Sequence, residues 1–265
     1  MNVKAKKKFG QNFLKDETVL IKIIESMPKN DNKLVEIGPG LGDLTKYLVN
    51  VKSVEAFEVD TDLCKLLQEK FKKELHSKKL SLHCGDVLEA WKSSLLDDRY
   101  DLVANLPYYI ATNIILKALE DKMCQNILVM VQLEVAKKFC AKSGDKEFGS
   151  LSVIADSVAN CKITQIVPPT SFDPAPKVDS AVMLIEKFKS RDDSDFEKFL
   201  KVCFTQPRKT LLKNLSSTYN KSMLQNFFDT LNLPLNIRPH QLSTDDYHQL
   251  YKKIKESLDG RRETS

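Results

Sequence analysis

Short apolar runs alternate with helical patterns from residue 33 to about residue 132. The runs with the composition of buried strands are Lys33–Ile37, Ser53–Glu58, Leu80–Cys84, Tyr100–Ala104 and Ile127–Gln132. Apolar residues recur at helical spacing between and after them, in Gly42–Val49, Asp60–Glu74, Ala111–Leu119 and Leu133–Cys140, and also before them in Asp16–Met27. This alternation predicts an α/β fold in which a parallel sheet carries helices on both faces.

The pattern changes after residue 150. Leu151–Val167 and Val178–Phe188 are predicted to be two long strands that pair antiparallel, joined by the proline-rich loop Pro168–Lys177. The remaining helical patterns are Phe196–Phe204, Lys209–Ser216, Ser222–Leu231 and Thr244–Leu258. We therefore predict a large domain over residues 1–188, a polar linker over 189–194 and a small all-α domain over 195–265.

The composition is that of a folded protein without a membrane segment. The chain has 265 residues, of which 42% are hydrophobic and 29% charged, and no apolar run reaches the roughly 20 residues that span a bilayer. The basic N-terminus lacks the apolar core of a secretory signal. Six scattered cysteines and four histidines indicate neither a zinc site nor a disulfide framework. We expect reduced thiols and a cytoplasmic location.

The charge of the chain is unevenly distributed. The net charge is +5, and both residues 1–8 and residues 189–265 carry +4, which leaves the centre acidic. Basic ends favour binding to nucleic acid, and an acidic centre favours a cationic or polar small molecule. A solvated lysine-rich surface explains the same numbers equally well, so charge alone does not decide.

The strand Tyr100–Ala104 ends in the tetrapeptide Asn105-Leu106-Pro107-Tyr108. The amide of Asn105 and a backbone carbonyl beside Pro107 provide two hydrogen-bond acceptors. The ring of Tyr108 provides a surface for stacking. These groups suit the exocyclic amine of adenine. The alternative for such a tetrapeptide taken alone is a strand that enters an Asn-Pro turn.

A glycine-rich turn follows the first predicted strand of the sheet, in Glu36–Gly42. Its glycines allow a ligand to approach the backbone closely. The dinucleotide fingerprint G-x-G-x-x-G would require glycine at position 43, where the chain has Asp43. The pattern E-x-G-x-G-x-G instead resembles the first motif of S-adenosylmethionine-dependent methyltransferases.

Acidic residues follow the next two strands. Glu58 closes the second strand, 20 residues after Gly38, where a carboxylate accepts hydrogen bonds from ribose hydroxyls. Asp86 follows the third strand and is placed to accept from the adenine amine of the cofactor. Asp60 and Asp86 also precede helical segments, so helix capping is the alternative for each. Polar residues at three successive strand ends favour a binding site.

Taken together, these motifs resemble those of the ribosomal RNA adenine dimethyltransferases over about residues 6–188. The segments that carry the resemblance are Phe9–Leu14, Glu36–Gly42, Glu58–Asp60, Gly85–Asp86, Asn105–Tyr108 and Pro174–Val182. The resemblance implies a Rossmann-like class I methyltransferase sheet with helices on both faces and a small C-terminal all-α domain. It also implies S-adenosyl-L-methionine as cofactor.

The resemblance further assigns roles to individual residues of this chain. It implies that Asn12 and Leu14 close over the methionine end of the cofactor. The residues assigned to cofactor binding are Gln11, Asn12, Leu14, Gly38, Gly40, Glu58, Asp86 and Asn105. The residues assigned to catalysis are Asn105, Leu106, Pro107, Tyr108 and Phe172, the last as a second aromatic that holds the target base. Tyr109 departs from the family, which more usually has asparagine at that position.

The expected substrate is small-subunit ribosomal RNA. The bacterial members that the chain most resembles dimethylate two adjacent adenosines in a hairpin loop near its 3′ end, and a role in small-subunit biogenesis on a pre-30S particle follows. We expect a monomer that needs no metal. The basic residues assigned to RNA are Lys6, Lys7, Lys8, Arg208, Lys209 and Lys213.

Three alternatives stay open or are weakened by the sequence. The erythromycin-resistance methylases, which act on large-subunit RNA, are close cousins. A non-catalytic ribosome-assembly factor is disfavoured because Asn12, Glu58, Asp86 and Asn105 are intact. A DNA adenine or protein glutamine methyltransferase is disfavoured by Leu106, by the basic N-terminus and by the segment Pro174–Val182.

Overall fold

The computed structural model describes residues 11–262, which form two compact units. The first unit contains the chain up to Ala136 together with Ala159–Ser190. The second contains Lys137–Val158 together with the chain from Arg191 onward. The sequence-based domain division has its linker at 189–194, near one of these borders. It did not anticipate that residues 137–158 group with the C-terminal helices.

The first unit is built on a seven-stranded sheet. Its strands, with the small pair β1 and β8, are β1 (Phe13–Leu14), β2 (Lys33–Ile37), β3 (Val54–Glu58), β4 (Leu80–Cys84), β5 (Tyr100–Asn105), β6 (Cys124–Gln132), β7 (Ala159–Val167), β8 (Phe172–Asp173) and β9 (Ser180–Lys187). The order in the sheet is β4-β3-β2-β5-β6-β9-β7. The five strands β4, β3, β2, β5 and β6 run parallel, and β9 pairs antiparallel with both β6 and β7.

The helices of the first unit cover this sheet. They are α1 (Glu17–Glu25), α2 (Thr45–Val51), α3 (Thr61–Lys70), α4 (Lys72–His76), α5 (Val87–Ala90) and α6 (Ala111–Glu120). Successive residues Leu102, Val103 and Ala104 of β5 are all buried, so both faces of the sheet are covered. A buried parallel sheet requires this, and it explains why its strands are continuous apolar runs.

The second unit is helical. Its elements are α7 (Leu133–Cys140), which contains the border at Ala136, α8 (Ser150–Asp156), α9 (Ser194–Cys203), α10 (Leu211–Leu215), α11 (Lys221–Thr230) and α12 (Thr244–Arg262). Phe199, Phe228, Tyr247 and Leu250 are fully buried and form part of its core. No described helix is long and apolar enough to cross a membrane.

The sequence predicted most elements but misassigned one. The five strands of the parallel region, the antiparallel pairing of the last two strands and the C-terminal helices are confirmed. The strand predicted over Leu151–Val167 is wrong in its first half, where Ser150–Asp156 forms a helix. Val153, Ile154 and Ala155 are buried, and a short apolar run has no periodicity that separates a buried helix from a buried strand.

The expectation of six reduced thiols is also wrong. Cys64 and Cys84 form a disulfide with their Cα atoms 6.1 Å apart, a usual separation for such a bond. Cys64 lies on α3, and Cys84 is the last residue of β4. The two are 20 residues apart in the sequence, and only the packing of α3 beside β4 brings their sulfur atoms together.

Candidate active site

Four neighbouring parallel strands place their carboxyl ends along one edge of the sheet. Glu58 and Asn105 are the last residues of β3 and β5, Gly38 directly follows β2, and Asp86 follows β4. Ligands of such sheets bind at this edge. Here it opens into a cavity. The cavity is lined by Gln11, Asn12, Leu14, Gly38, Gly40, Glu58, Asp86, Asn105, Leu106, Pro107 and Tyr108, among others.

The glycine-rich turn forms one wall of this cavity, with glycine at two of its lining positions. Gly38 and Gly40 have φ angles of +72° and +60°, in the left-handed region that favours glycine. A Cβ atom added to Gly40 would lie 3.2 Å from the ring of Phe13. A side chain at Gly40 would thus press on Phe13, and because both glycines line the cavity, a ligand there meets backbone at these two positions.

The carboxylate of Glu58 is held by the same turn. Its Oε2 accepts a hydrogen bond from the N–H of Gly40 at 3.1 Å, and its Oε1 accepts from the N–H of Asp60 at 2.9 Å. Burial raises the pKa of Glu58, and these two hydrogen bonds act in the opposite direction. The backbone N–H of Val59 acts in the same direction. The carboxylate lines the cavity, and carboxylate oxygens accept hydrogen bonds from hydroxyl groups.

A second buried carboxyl group lines the cavity and was not among the predicted site residues. Glu36 is 1% exposed, and its Oε2 accepts from the hydroxyl of Thr45 at 2.7 Å. Burial raises its pKa to about 8, so the group is neutral at pH 7. Its place as the first residue of E-x-G-x-G-x-G was the available signal.

The segment Gln11–Leu14 is tied over the cavity by three sets of hydrogen bonds. The Nε2 of Gln11 donates to Asp60 Oδ2 at 3.1 Å. The Nδ2 of Asn105 donates to the carbonyl of Asn12 at 3.2 Å. The strand β1 pairs with β8, with Leu14 opposite Phe172. Residues remote in the sequence thus hold this segment in place.

Asp86 serves as a helix cap and also lines the cavity. Its Oδ1 accepts from the N–H of Leu88 at 2.8 Å and so caps α5. Asp60 caps α3 in the same way. Capping was the alternative interpretation for both residues, and it holds. For Asp86 it does not compete with a ligand role, because its exposed carboxylate has a second oxygen at the cavity.

The hydrogen bonds around Asn105 determine which of its groups face a ligand. Because Nδ2 donates to Asn12, the other end of the amide, Oδ1, is the acceptor. The carbonyl of Pro107 already accepts from the N–H of Ile110 at 3.2 Å. The sequence predicts a second acceptor at a backbone carbonyl beside Pro107, and this hydrogen bond favours the carbonyl of Leu106 for that role.

The two predicted aromatic contacts differ in their surroundings. Tyr108 is half-buried, its ring lines the cavity, and its hydroxyl lies 2.6 Å from Ser180 Oγ. Phe172 is 5% exposed and packs in the hydrophobic core with Leu14. It is not a cavity-lining residue. Tyr109 does line the cavity and is 57% exposed.

The predicted RNA-binding residues fall into two groups. Lys6, Lys7 and Lys8 lie outside the described residues. Arg208, Lys209 and Lys213 belong to the second unit, at and just before α10, and all three are exposed.

Strand ends with these functional groups are characteristic of S-adenosylmethionine-dependent methyltransferases with a Rossmann-like sheet, and the fold and the cavity place the chain in this class. The profile of the family described as "Ribosomal RNA adenine dimethylase" matches residues 2–256. The chain belongs to this family. As a member, it methylates adenine in ribosomal RNA with S-adenosyl-L-methionine.

A relative of high sequence identity supports this assignment, and two solved structures share the fold. The "Ribosomal RNA small subunit methyltransferase A" of Sulfurimonas denitrificans is 70% identical over 259 residues, covering 98% of this chain and 97% of the relative. A dimethyladenosine transferase from Plasmodium falciparum shares the fold with a TM-score of 0.75 at 23% identity, over 92% of this chain and 97% of that one. The 23S rRNA methyltransferase ErmE has a TM-score of 0.70 at 23% identity, over 92% and 100% of the two chains.

Proposed function

We propose that this enzyme dimethylates, at N6, two adjacent adenosines in a hairpin loop near the 3′ end of small-subunit ribosomal RNA. The sequence identity of 70% to a protein named for the small subunit supports the choice of substrate. The observation that carries the chemistry is the hydrogen bond from Asn105 Nδ2 to the Asn12 carbonyl. It leaves Oδ1 as the acceptor end of this amide, which supports its assignment to the adenine amine.

The cavity fits S-adenosyl-L-methionine by its donor and acceptor groups. We assign the ribose hydroxyls to Glu58, whose carboxylate lines the cavity, and the adenine amine to Asp86. The absence of a side chain at Gly38 and at Gly40 lets the ligand approach the backbone there. The methionine end is assigned to the segment Gln11–Leu14. When bound, the cofactor supplies an electrophilic methyl group on a sulfonium.

The residues of the tetrapeptide make the adenine amine reactive. Its nitrogen lone pair is delocalised into the ring, so the free amine is a poor nucleophile. Accepting its two N–H bonds at Asn105 Oδ1 and at the Leu106 carbonyl favours the pyramidal form. The same acceptors stabilise the positive charge that develops on nitrogen. The methylated amine is acidic enough to lose its proton to water.

The target base is held by stacking on Tyr108. An aromatic platform of this kind contributes about 1–3 kcal/mol per base, and the base leaves the RNA stack to reach it. The assignment of a second base contact to Phe172 stays a prediction. Since its ring is 5% exposed, the contribution supported by the packing is to hold Leu14.

RNA binding is assigned to the basic residues of both ends of the chain. Arg208, Lys209 and Lys213 present three exposed positive charges, which suit phosphates. We assign the same role to Lys6, Lys7 and Lys8. A structured RNA is then recognised largely by its shape. We propose a cytoplasmic monomer that acts on the pre-30S particle during small-subunit biogenesis.

The test uses radiolabelled S-adenosylmethionine with small and large ribosomal subunits that lack adenine methylation, followed by nucleoside analysis. Label in N6,N6-dimethyladenosine from the small subunit alone is the expected result. Label in the large subunit alone would contradict the proposed substrate and indicate large-subunit RNA, the substrate of the resistance methylases. Cofactor binding without any label would favour an assembly factor.

A variant pair tests the role of Asn105. Asn105→Ala should lower kcat by at least roughly 100-fold, as for the loss of an oxyanion-hole donor, while cofactor affinity falls much less. Asn50→Ala is the matched control, because Asn50 is exposed and donates to the carbonyl of Lys46 on the first turn of α2. Equal losses of turnover and cofactor affinity in Asn105→Ala would contradict the assigned role.

A further inference from the structure

The hydroxyl of Tyr108 has a function that stacking alone does not require. A base stacks on the ring of phenylalanine as well as on that of tyrosine. Here the hydroxyl is used within the protein, 2.6 Å from Ser180 Oγ. Burial raises the pKa of Tyr108, so the phenol is neutral at physiological pH. The group acts as an anchor for the ring.

Ser180 lies in a strand that is paired on both sides. It is the first residue of β9 and is paired on both sides, with Gln132 of β6 and with Val167 of β7. The preceding carbonyl, of Asp179, accepts from the N–H of Leu133 at 3.0 Å. Two flanking strands therefore fix the direction in which the Ser180 side chain points.

The burial of Ser180 also needs an explanation. Its exposed fraction is 0%, and a buried hydroxyl destabilises a fold unless it is hydrogen-bonded. Alanine or valine would fill a strand position at lower cost. Within the described part of the chain, the hydrogen bond recorded for its Oγ is the one to Tyr108. The serine is thus matched to the tyrosine.

We propose that Ser180 is a positioning residue for the target base, because it fixes the ring of Tyr108 in the orientation on which the base stacks. This inference rests on the proposed function. The hydrogen bond between Tyr108 and Ser180 links the segment just after β5 to the first residue of β9, 72 positions later in the chain. It also gives a physical role to the segment Pro174–Val182, whose serine at position 180 the site assignment had not used.

We expect the loss of this hydrogen bond to slow methyl transfer to the base and to leave cofactor binding unchanged. Ser180→Ala frees the ring to rotate, and a misplacement of about 1 Å at a reacting group costs up to roughly 100-fold in rate. We expect a decrease of roughly 10- to 100-fold in the rate of methyl transfer in a single turnover. The dissociation constant of the cofactor should change by less than about two-fold, because Ser180 does not line its cavity.

Tyr108→Phe provides the decisive comparison. It removes the same hydrogen bond from the other side and keeps the ring. Each single variant should therefore lose a similar factor, and the double variant should lose no more than either one, since residues that act through one contact are non-additive. Ser180→Thr, which retains the hydroxyl, should recover most of the rate. Losses that multiply in the double variant would overturn the inference.

A matched control separates positioning from general destabilisation. Ser152 is equally buried, and its Oγ donates to the carbonyl of Lys138 at 2.6 Å, within the second unit. Ser152→Ala should lower thermal stability and leave methyl transfer unchanged. If Ser152→Ala lowers the rate of methyl transfer as much as Ser180→Ala does, both effects come from lost stability, and the inference is overturned.

A second readout does not depend on turnover. An RNA hairpin with 2-aminopurine at the target position loses fluorescence when that base stacks in the protein. Wild type should quench this fluorescence, and Ser180→Ala should quench it less. If wild type quenches the probe and methylates the same hairpin with adenosine at the target position, while Ser180→Ala does both equally well, the role of Ser180 is refuted and the function stands. If wild type does neither, the proposed function fails, and this inference fails with it.

Discussion

Asp121 organises the most concentrated set of buried hydrogen bonds in the first unit. It is 0% exposed. Five groups donate to its two oxygens at 2.7 to 2.9 Å: Ser94 Oγ and Met123 N to Oδ1, and Trp91 Nε1, Leu95 N and the Tyr100 hydroxyl to Oδ2. Burial opposes its ionisation, but these donors outweigh burial and lower its pKa.

The substitution Asp121→Asn measures what this arrangement contributes. The amide nitrogen is best placed at the position of Oδ1, where the Ser94 hydroxyl can turn to accept from it and only the Met123 N–H loses its acceptor. An unpaired buried donor costs about 1–3 kcal/mol. The remaining hydrogen bonds lose their charge assistance, which roughly halves their strength. We expect a loss of about 3–5 kcal/mol, or roughly 10 °C in the melting temperature of the first unit.

The assay is urea unfolding followed by tryptophan fluorescence, because Trp91 is the one tryptophan of the chain and bonds directly to Asp121. The exposed residue Asp97 provides the matched control, since Asp97→Asn changes the same atoms in solvent. Its free energy of unfolding should stay within about 0.5 kcal/mol of wild type. A loss below about 1 kcal/mol in Asp121→Asn would refute the reasoning.

The same residue predicts a pH dependence with a definite sign. Because the folded-state pKa of Asp121 is lowered, its stabilising contribution is present above the unfolded pKa of about 3.9. It is lost as the pH falls through the lower folded value. Wild type should therefore lose stability more steeply than Asp121→Asn below about pH 4. Parallel stability curves for the two proteins would contradict this.

Three further predictions concern other parts of the chain. Burial raises the pKa of Glu36 to about 8, so wild type loses stability as the pH rises above the pKa that Glu36 has in the unfolded chain. Glu36→Gln should therefore gain about 2 kcal/mol of stability relative to wild type between pH 5 and pH 7. A difference in melting temperature that does not change with pH would contradict this. Asn214 accepts from the N–H and donates to the carbonyl of Gln206, both at 3.1 Å. Asn214→Ala should therefore cost about 2–3 kcal/mol in urea unfolding of the second unit, with cofactor affinity intact; unchanged unfolding would exclude this role. Replacing Lys209 and Lys213 by alanine should weaken RNA binding and lower the salt slope of log K by about 0.7–0.9 per lost phosphate contact, whereas an unchanged slope would remove both residues from the RNA surface.

The sequence by itself determined the sheet and the edge at which the site lies. Buried parallel strands are continuous apolar runs, and the polar residues that follow them, such as Glu58 and Asn105, necessarily meet at one edge. The local sequence was enough for this, because each apolar run and the polar residue that ends it lie within a few positions of each other. The motifs Glu36–Gly42 and Asn105–Tyr108 lie at that edge for the same reason.

The tertiary structure decided what depends on residues far apart in the chain. The Asn105 amide is oriented by Asn12, 93 positions away, and the ring of Tyr108 by Ser180. No local pattern records such contacts, because each partner is an ordinary residue in its own segment. The disulfide of Cys64, the helical state of 150–156 and the burial of Phe172 belong to the same group. Packing determined them, since each depends on which part of the folded chain lies against the residue.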